Sequence, residues 1–195
     1  MTDKSAYIAY HPAFKCQSKF DRKLNKILKS HRFKINYFED PNGYIQDFCA
    51  KHKLECQKHE NFKEGIYAST HAVFFEDRDC FFIQKQHVFD RDIPYRTIDL
   101  DLTIVVNRDR GAAYDVYIGR GTIWGNPYQM GIDGNREEVI QKFQHDFDKG
   151  LLKASADFDN NINPLRGKLI ACHCKPAACH GDVIAEYLNA LDDGK

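Results

Sequence analysis

The residues best suited to chemistry in this 195-residue chain lie close to its carboxyl end, where Cys172, Cys174, Cys179 and His180 share one short segment. Zinc prefers thiolate and imidazole ligands, so these four residues form a candidate zinc site. The sequence requires no cofactor and allows zinc. The same segment offers a candidate catalytic set for hydrolysis or a glycosyl-type transfer, formed by Cys179, His180 and Asp182, because a thiol at a helix start is stabilised as thiolate. The alternative roles are structural: Cys172 packs at a strand end and Asp182 caps the helix.

A second set of residues is suited to holding a phosphate-bearing ring. Arg120 lies between two glycines, which let backbone approach a ligand, and its guanidinium can bind a phosphate through two donors. Trp124 could stack on a ring whose edge Asn126 reads, or it could anchor the core. A cation at the start of a helix is stabilised when it faces an anion. Residues that follow parallel strands lie together at one edge of the sheet, where they line a crevice. The predicted ligand-binding residues are Asn107, Arg108, Arg120, Trp124, Asn126 and Arg136.

The elements that must position these residues alternate between strands and helices. The apolar segment 167–171 predicts a strand that runs into the cysteine segment, and an amphipathic helix follows it. Residues 135–149 have helical periodicity with Asn135 as the cap. The first half shows the same alternation, which predicts an α/β fold with Rossmann-like, open, mostly parallel sheets. The polar stretch 89–97 contains Pro94 and suggests two small α/β units packed together, residues 1–96 and 97–195.

Composition narrows the classes of function. Lys and Arg total 28 and so do Asp and Glu, and this balance argues against nucleic acid as a partner. No apolar run is long enough to span a bilayer, so we expect no membrane partner. The seven cysteines are an odd number without a secreted pattern, and no signal region precedes them. Reduced thiols and a cytoplasmic location are therefore predicted.

The second half resembles a domain family of unknown function found in bacteria and phages. The resemblance covers roughly residues 103–190. It is carried by segment 114–120 (YDVYIGR), segment 124–127 (WGNP), the Arg-Glu-Glu at 136–138 and the cysteine segment that ends in CHGD at 179–182. His173 departs from the family pattern, which has an aromatic residue there. The resemblance implies no activity.

The first half resembles the SLOG group of Rossmann-like nucleotide-binding domains. The resemblance is carried by segment 40–43 (DPNG), the helix that follows it, segment 54–56 and segment 70–75 (THAVFF). Two departures stand out, since segment 10–12 (YHP) replaces the usual Gly-Ser-Arg and only Gly43 remains of the glycine-rich turn. The resemblance implies the fold and a nucleotide-like ligand.

Two functions are therefore expected. The first is binding, with hydrolysis or glycosyl-type transfer as the reaction if one occurs, of a nucleotide-like, phosphate-bearing small molecule. The second is a non-enzymatic module that sequesters such a molecule or binds another protein, in the manner of a phage counter-defence protein, with its carboxyl-terminal loop stabilised by zinc.

Overall fold

The computed structural model describes residues 4–28 and 33–194, which divide into two compact units. The first unit takes in the chain up to Leu100 together with the segment from Leu191 onward, and the second unit is Asp101–Ala190. The predicted boundary after residue 96 falls inside a strand of the first unit, Tyr95–Asp99. Most of that strand is exposed, which explains why its sequence is polar enough to look like a linker.

The first unit is a five-stranded, entirely parallel sheet. Its strands lie in the order β3-β2-β1-β4-β5. They are β1 (Lys4–Tyr10), β2 (Phe33–Tyr37), β3 (Cys56–Lys58), β4 (His71–Glu76) and β5 (Tyr95–Asp99). The helices between them are α1 (Gln17–Leu28), α2 (Tyr44–His52), α3 (Phe62–Tyr67) and α4 (Phe82–Phe89). The predicted α/β class with a parallel, Rossmann-like sheet is confirmed.

Aromatic side chains build much of the first unit's core. Phe20 on α1 packs on Phe75 of β4, with ring centroids 4.8 Å apart, and its ring also lies 5.5 Å from that of Tyr10 on β1. Central parallel strands are buried on both faces, so they read as continuous apolar runs rather than as alternating patterns. The run from Ala72 to Phe75 has this form, and each of its residues is buried.

The second unit is a three-stranded parallel sheet with β8 at its centre. Its strands are β6 (Ile104–Asn107), β7 (Val116–Tyr117) and β8 (Leu169–Cys172), and its helices are α5 (Arg136–Asp148), α6 (Phe158–Ile162) and α7 (His180–Ala190). Asn135 caps α5 in a capping box with Glu138, as the sequence predicts. In the part of the chain that the structure describes, no helix has the length and apolar character needed to cross a membrane.

The core of the second unit lies between this sheet and helices α5 and α7. Ile118, Ile170, Phe143 and Ile184 are fully buried there, and Trp124 is only 4% exposed. The packing leaves the carboxyl ends of the three strands at one edge of the sheet, where ligands of open parallel sheets commonly bind.

Candidate functional site

The candidate site lies at the carboxyl edge of the second unit's sheet. The chain leaves β7 through Ile118 and Arg120, and it leaves β8 at Cys172 directly into the cysteine segment. A cavity of about 460 Å³ opens at this edge. The predicted site residues that line it are Arg120, Asn126, Arg136, Cys172, Cys174, Cys179 and His180. A neighbouring cavity of about 720 Å³ shares Arg120, Asn126 and Tyr128 with the first.

Two predicted ligand contacts turn out to be structural. Trp124 belongs to the buried core, so it does not fit the expected role of a stacking platform for a ring. The Asn126 side chain donates to the carbonyl of Val139 at 3.0 Å and accepts from the amide of Tyr128 at 2.9 Å. It therefore holds its loop against α5. Reading the edge of a base would compete with both bonds.

Asn107, Arg108 and Asp182 do not line the cavity. Asn107 accepts from the amide of Asp109 at 2.7 Å and caps a short 3₁₀ turn. The Arg108 guanidinium lies 4.6 Å from the centre of the Tyr117 ring. Asp182 accepts from the backbone amide of Cys179 at 2.9 Å, which is the helix-capping role that the sequence offered as an alternative to catalysis.

Three thiols converge on the wall of the cavity. The sulfurs of Cys172, Cys174 and Cys179 all lie within 4.8 Å of one another, and those of Cys172 and Cys174 are 3.7 Å apart. Cys179 is 1% exposed, Cys172 is 4% exposed and Cys174 is half-buried. A cluster of this kind could hold a metal ion.

His180 begins α7 beside this cluster. Its Nδ1 lies 3.7 Å from the sulfur of Cys179, and its Nε2 lies 3.0 Å from the carbonyl oxygen of Ile118. A carbonyl oxygen only accepts, so Nε2 carries the hydrogen of the neutral imidazole and Nδ1 presents its lone pair to the thiols. The ring is buried and packs on Phe143 at a centroid distance of 5.0 Å.

The thiols ionise unequally. Hydrogen bonding with Cys179 and the proximity of His180 lower the pKa of Cys172 to about 3, against the effect of burial. The hydrogen bond that Cys179 gives to Cys172, together with burial, raises the pKa of Cys179. Burial, followed by the nearby Cys172, raises the pKa of Cys174. The three thiols thus have different environments, and Cys179 as a nucleophile stays a prediction.

Sequence analysis did not predict a chain of hydrogen bonds at the mouth of the cavity that connects Asp109, His173 and Tyr117. The Nδ1 of His173 lies 2.7 Å from a carboxylate oxygen of Asp109, and its Nε2 lies 3.0 Å from the hydroxyl of Tyr117. The signal was the family departure at His173, but nothing in the sequence connected it with Asp109. These bonds join the segments that follow β6 and β8 to β7.

The parallel sheet of the first unit places the protein in a Rossmann-like class, and the comparisons with known proteins agree. The chain belongs to the minimal SLOG domain family, whose model matches residues 3–106. The model of a domain of unknown function, DUF4326, matches residues 104–190. Both predicted resemblances are confirmed.

One relative comes from Enterobacteria phage T4. It is described as an uncharacterized 12.4 kDa protein in the nrdA-td intergenic region, and it is 43% identical over 88 residues. The match covers 45% of this chain and 78% of the phage protein. No solved structure matches significantly.

Proposed function

We propose that the second unit binds a nucleotide-like, phosphate-bearing small molecule in the cavity at the carboxyl edge of its sheet. The observation that carries this proposal is the placement of two arginines. Arg120 and Arg136 both line the cavity, and neither forms an ion pair with any residue that the structure describes. Two uncompensated cations in one cavity favour an anionic ligand.

Most donors of both guanidinium groups are available to a ligand. Arg120 reaches the carbonyl of Tyr128 through one nitrogen at 3.4 Å, and Arg136 reaches the carbonyl of Ala178 through one nitrogen at 3.2 Å. A guanidinium carries five N–H donors in a planar fork that matches phosphate oxygens. The carbonyl contacts orient the two groups and leave donors for bidentate binding of phosphate.

The rest of the cavity suits the ring of a nucleotide-like molecule. Apolar and aromatic side chains form much of its lining, namely Tyr117, Met130, Val139 and Ile140. A volume of about 460 Å³ falls within the range typical of small-molecule sites. The minimal SLOG match covers residues 3–106, outside this cavity, so it supports a nucleotide-related role for the chain as a whole and not for this cavity in particular.

Binding without turnover is the form of this function that the cysteine segment favours. Cys179 is almost fully buried, which restricts the access of a substrate to its sulfur. Hydrolysis or glycosyl-type transfer at this cavity would need a different nucleophile, such as water. Of the two predicted functions, we therefore propose the second, a non-enzymatic module that sequesters the molecule. We also propose that the metal suited to the three thiols is zinc, since soft sulfur ligands select it over hard cations.

The test is calorimetric titration of the chain with ATP, NAD, ADP-ribose and inorganic pyrophosphate, with chromatography of each mixture afterwards. Charge-assisted hydrogen bonds contribute about 1.5–3 kcal/mol, so Arg120→Ala and Arg136→Ala should each weaken binding roughly 10- to 150-fold. Arg166→Ala is the matched control, because Arg166 is exposed and lines neither cavity.

Recovery of the nucleotide intact supports sequestration, and its conversion supports a reaction. Full affinity in both arginine variants, or no binding of any of these compounds by the unaltered chain, would overturn the phosphate-binding role.

A further inference from the structure

We infer that His180 is the fourth ligand of a closed Cys₃His zinc site completed by Cys172, Cys174 and Cys179. The inference rests on the proposed affinity of the three thiols for zinc. It keeps the four ligands that the sequence predicts and goes further by assigning the ligand atom of His180 and the closed, structural character of the site. It gives His180 and Cys179 a structural role in place of the predicted catalytic one.

Two of the distances in the cluster are close to those of a tetrahedron around one ion. A Zn–S distance of about 2.3 Å and a Zn–N distance of about 2.0–2.1 Å place tetrahedral sulfurs roughly 3.8 Å apart and a sulfur and a nitrogen roughly 3.6 Å apart. The sulfurs of Cys172 and Cys174 are 3.7 Å apart, and Nδ1 of His180 is 3.7 Å from the sulfur of Cys179. The three sulfurs all lie within 4.8 Å of one another, but neither ring nitrogen of His180 lies that close to all three, so the imidazole must move toward the more distant sulfur for the site to close.

The tautomer of His180 is already the one that a metal requires. Nε2 donates to the carbonyl of Ile118 at 3.0 Å, which leaves the lone pair of Nδ1 directed at the thiols. Zinc-bound histidines commonly donate their other ring N–H to a carbonyl or carboxylate in this way, and the bond fixes the orientation of the ring. Ile118 follows β7, so this carbonyl is held by the sheet.

The neighbours of the sulfurs also suit bound thiolates. The backbone N–H of Gly181 donates to the sulfur of Cys179 at 3.3 Å. This backbone donor stabilises negative charge on the sulfur, as a bound thiolate requires.

A site with four protein ligands has no open position for substrate or water, and this is the arrangement of structural zinc. Here it would join the end of β8 to the start of α7 through the cysteine segment. Cys179 and His180, bound to the ion, would be withdrawn from nucleophilic and acid–base chemistry. The ion would thus hold the residues of the cavity wall in place, and it would not contact a bound substrate.

The first experiment measures the metal content of the purified chain and the X-ray absorption fine structure of the bound zinc. We expect one zinc per chain, with about three sulfur neighbours and one nitrogen neighbour. Zinc in substoichiometric traces, together with failure of the metal-free chain to take up Co²⁺, would overturn both the zinc proposal and the assignment of His180.

The second experiment compares His180→Gln with His145→Gln by competition with a zinc chelator. Glutamine can place its amide N–H near the position of Nε2 and so keep the bond to Ile118, while it removes Nδ1. Loss of an outer-shell partner costs about 10–100-fold in metal affinity, so loss of a ligand should cost more than roughly a hundredfold. His145 is exposed on α5 in the same unit, and its variant should bind zinc unchanged.

Equal zinc affinity in His180→Gln, or absorption data that show only sulfur and oxygen neighbours in the unaltered chain, would overturn the assignment of His180 and leave the zinc proposal standing. The absorption data decide the matter even if the variant fails to fold. The arginine variants test the phosphate-binding proposal separately.

Discussion

Asn189 is the polar side chain whose loss we expect to weaken the second unit most. It lies near the end of α7 and pairs with the backbone of Thr103, accepting from its N–H at 2.8 Å and donating to its carbonyl at 3.0 Å. Asn189 is 7% exposed and Thr103 is 1% exposed. Asn189→Ala would leave two buried backbone groups without the partner that the amide supplies. Each such group costs about 1–3 kcal/mol, so the free energy of unfolding should fall by roughly 2–6 kcal/mol.

The assay can report on the second unit by itself. Trp124 is the sole tryptophan of the chain and lies in the core of that unit, so its fluorescence during urea denaturation follows this unit alone. Asn160→Ala is the matched control, because the Asn160 amide is exposed and donates only to the carboxylate of Asp157. A loss below about 1 kcal/mol for Asn189→Ala would show that water or a backbone shift satisfies Thr103, and the reasoning from unpaired groups would be refuted.

Two further predictions concern a close approach and a titrating side chain. A Cβ on Gly181 would lie 2.6 Å from Cδ1 of the fully buried Ile118. Gly181→Ala should therefore destabilise the second unit by about 1–3 kcal/mol. An unchanged midpoint of urea denaturation would contradict this prediction. Burial lowers the pKa of His11 below 6.5, so the folded state binds fewer protons than the unfolded state and the first unit should lose stability as the pH falls below about 6.5. His11→Asn can retain the acceptor for the Ala13 amide without titrating, and circular dichroism during denaturation at pH 8 and pH 5.5 should show a smaller loss for this variant. Equal losses in the two proteins would assign the pH dependence to other groups.

The sequence was sufficient to predict the class of the architecture because the central strands, such as β1 and β4, are buried. An apolar run such as that from Ala72 to Phe75 is typical of a strand that is buried on both faces of a parallel sheet. The same reasoning placed the helix that Asn135 caps. It did not find β5, since an exposed edge strand with Pro94 just before it lacks both the apolar run and the alternation that mark a strand.

The sequence predicts the position of a site residue at the cavity only where that residue follows a strand. Arg120 and the cysteine segment fulfil that condition, and they line one cavity. Trp124 and Asn126 also follow β7, but a short loop can turn a side chain toward the core or toward the cavity, and sequence spacing does not distinguish the two. The bond between His173 and Asp109 joins positions 64 residues apart, which no local pattern can indicate.

The cysteine segment and the cavity depend on each other, because the segment positions a side chain that lines the cavity. Arg136 is oriented by the carbonyl of Ala178, which lies between Cys174 and Cys179, so the loop that would hold the ion also aims one of the two cations. Arg120 is held where Gly125 passes so close that a Cβ there would lie 2.8 Å from the carbonyl oxygen of Gly119. A buried ion would therefore contribute to ligand binding by fixing a donor in place, and preorganised donors bind more tightly because less conformational entropy is lost when the ligand arrives.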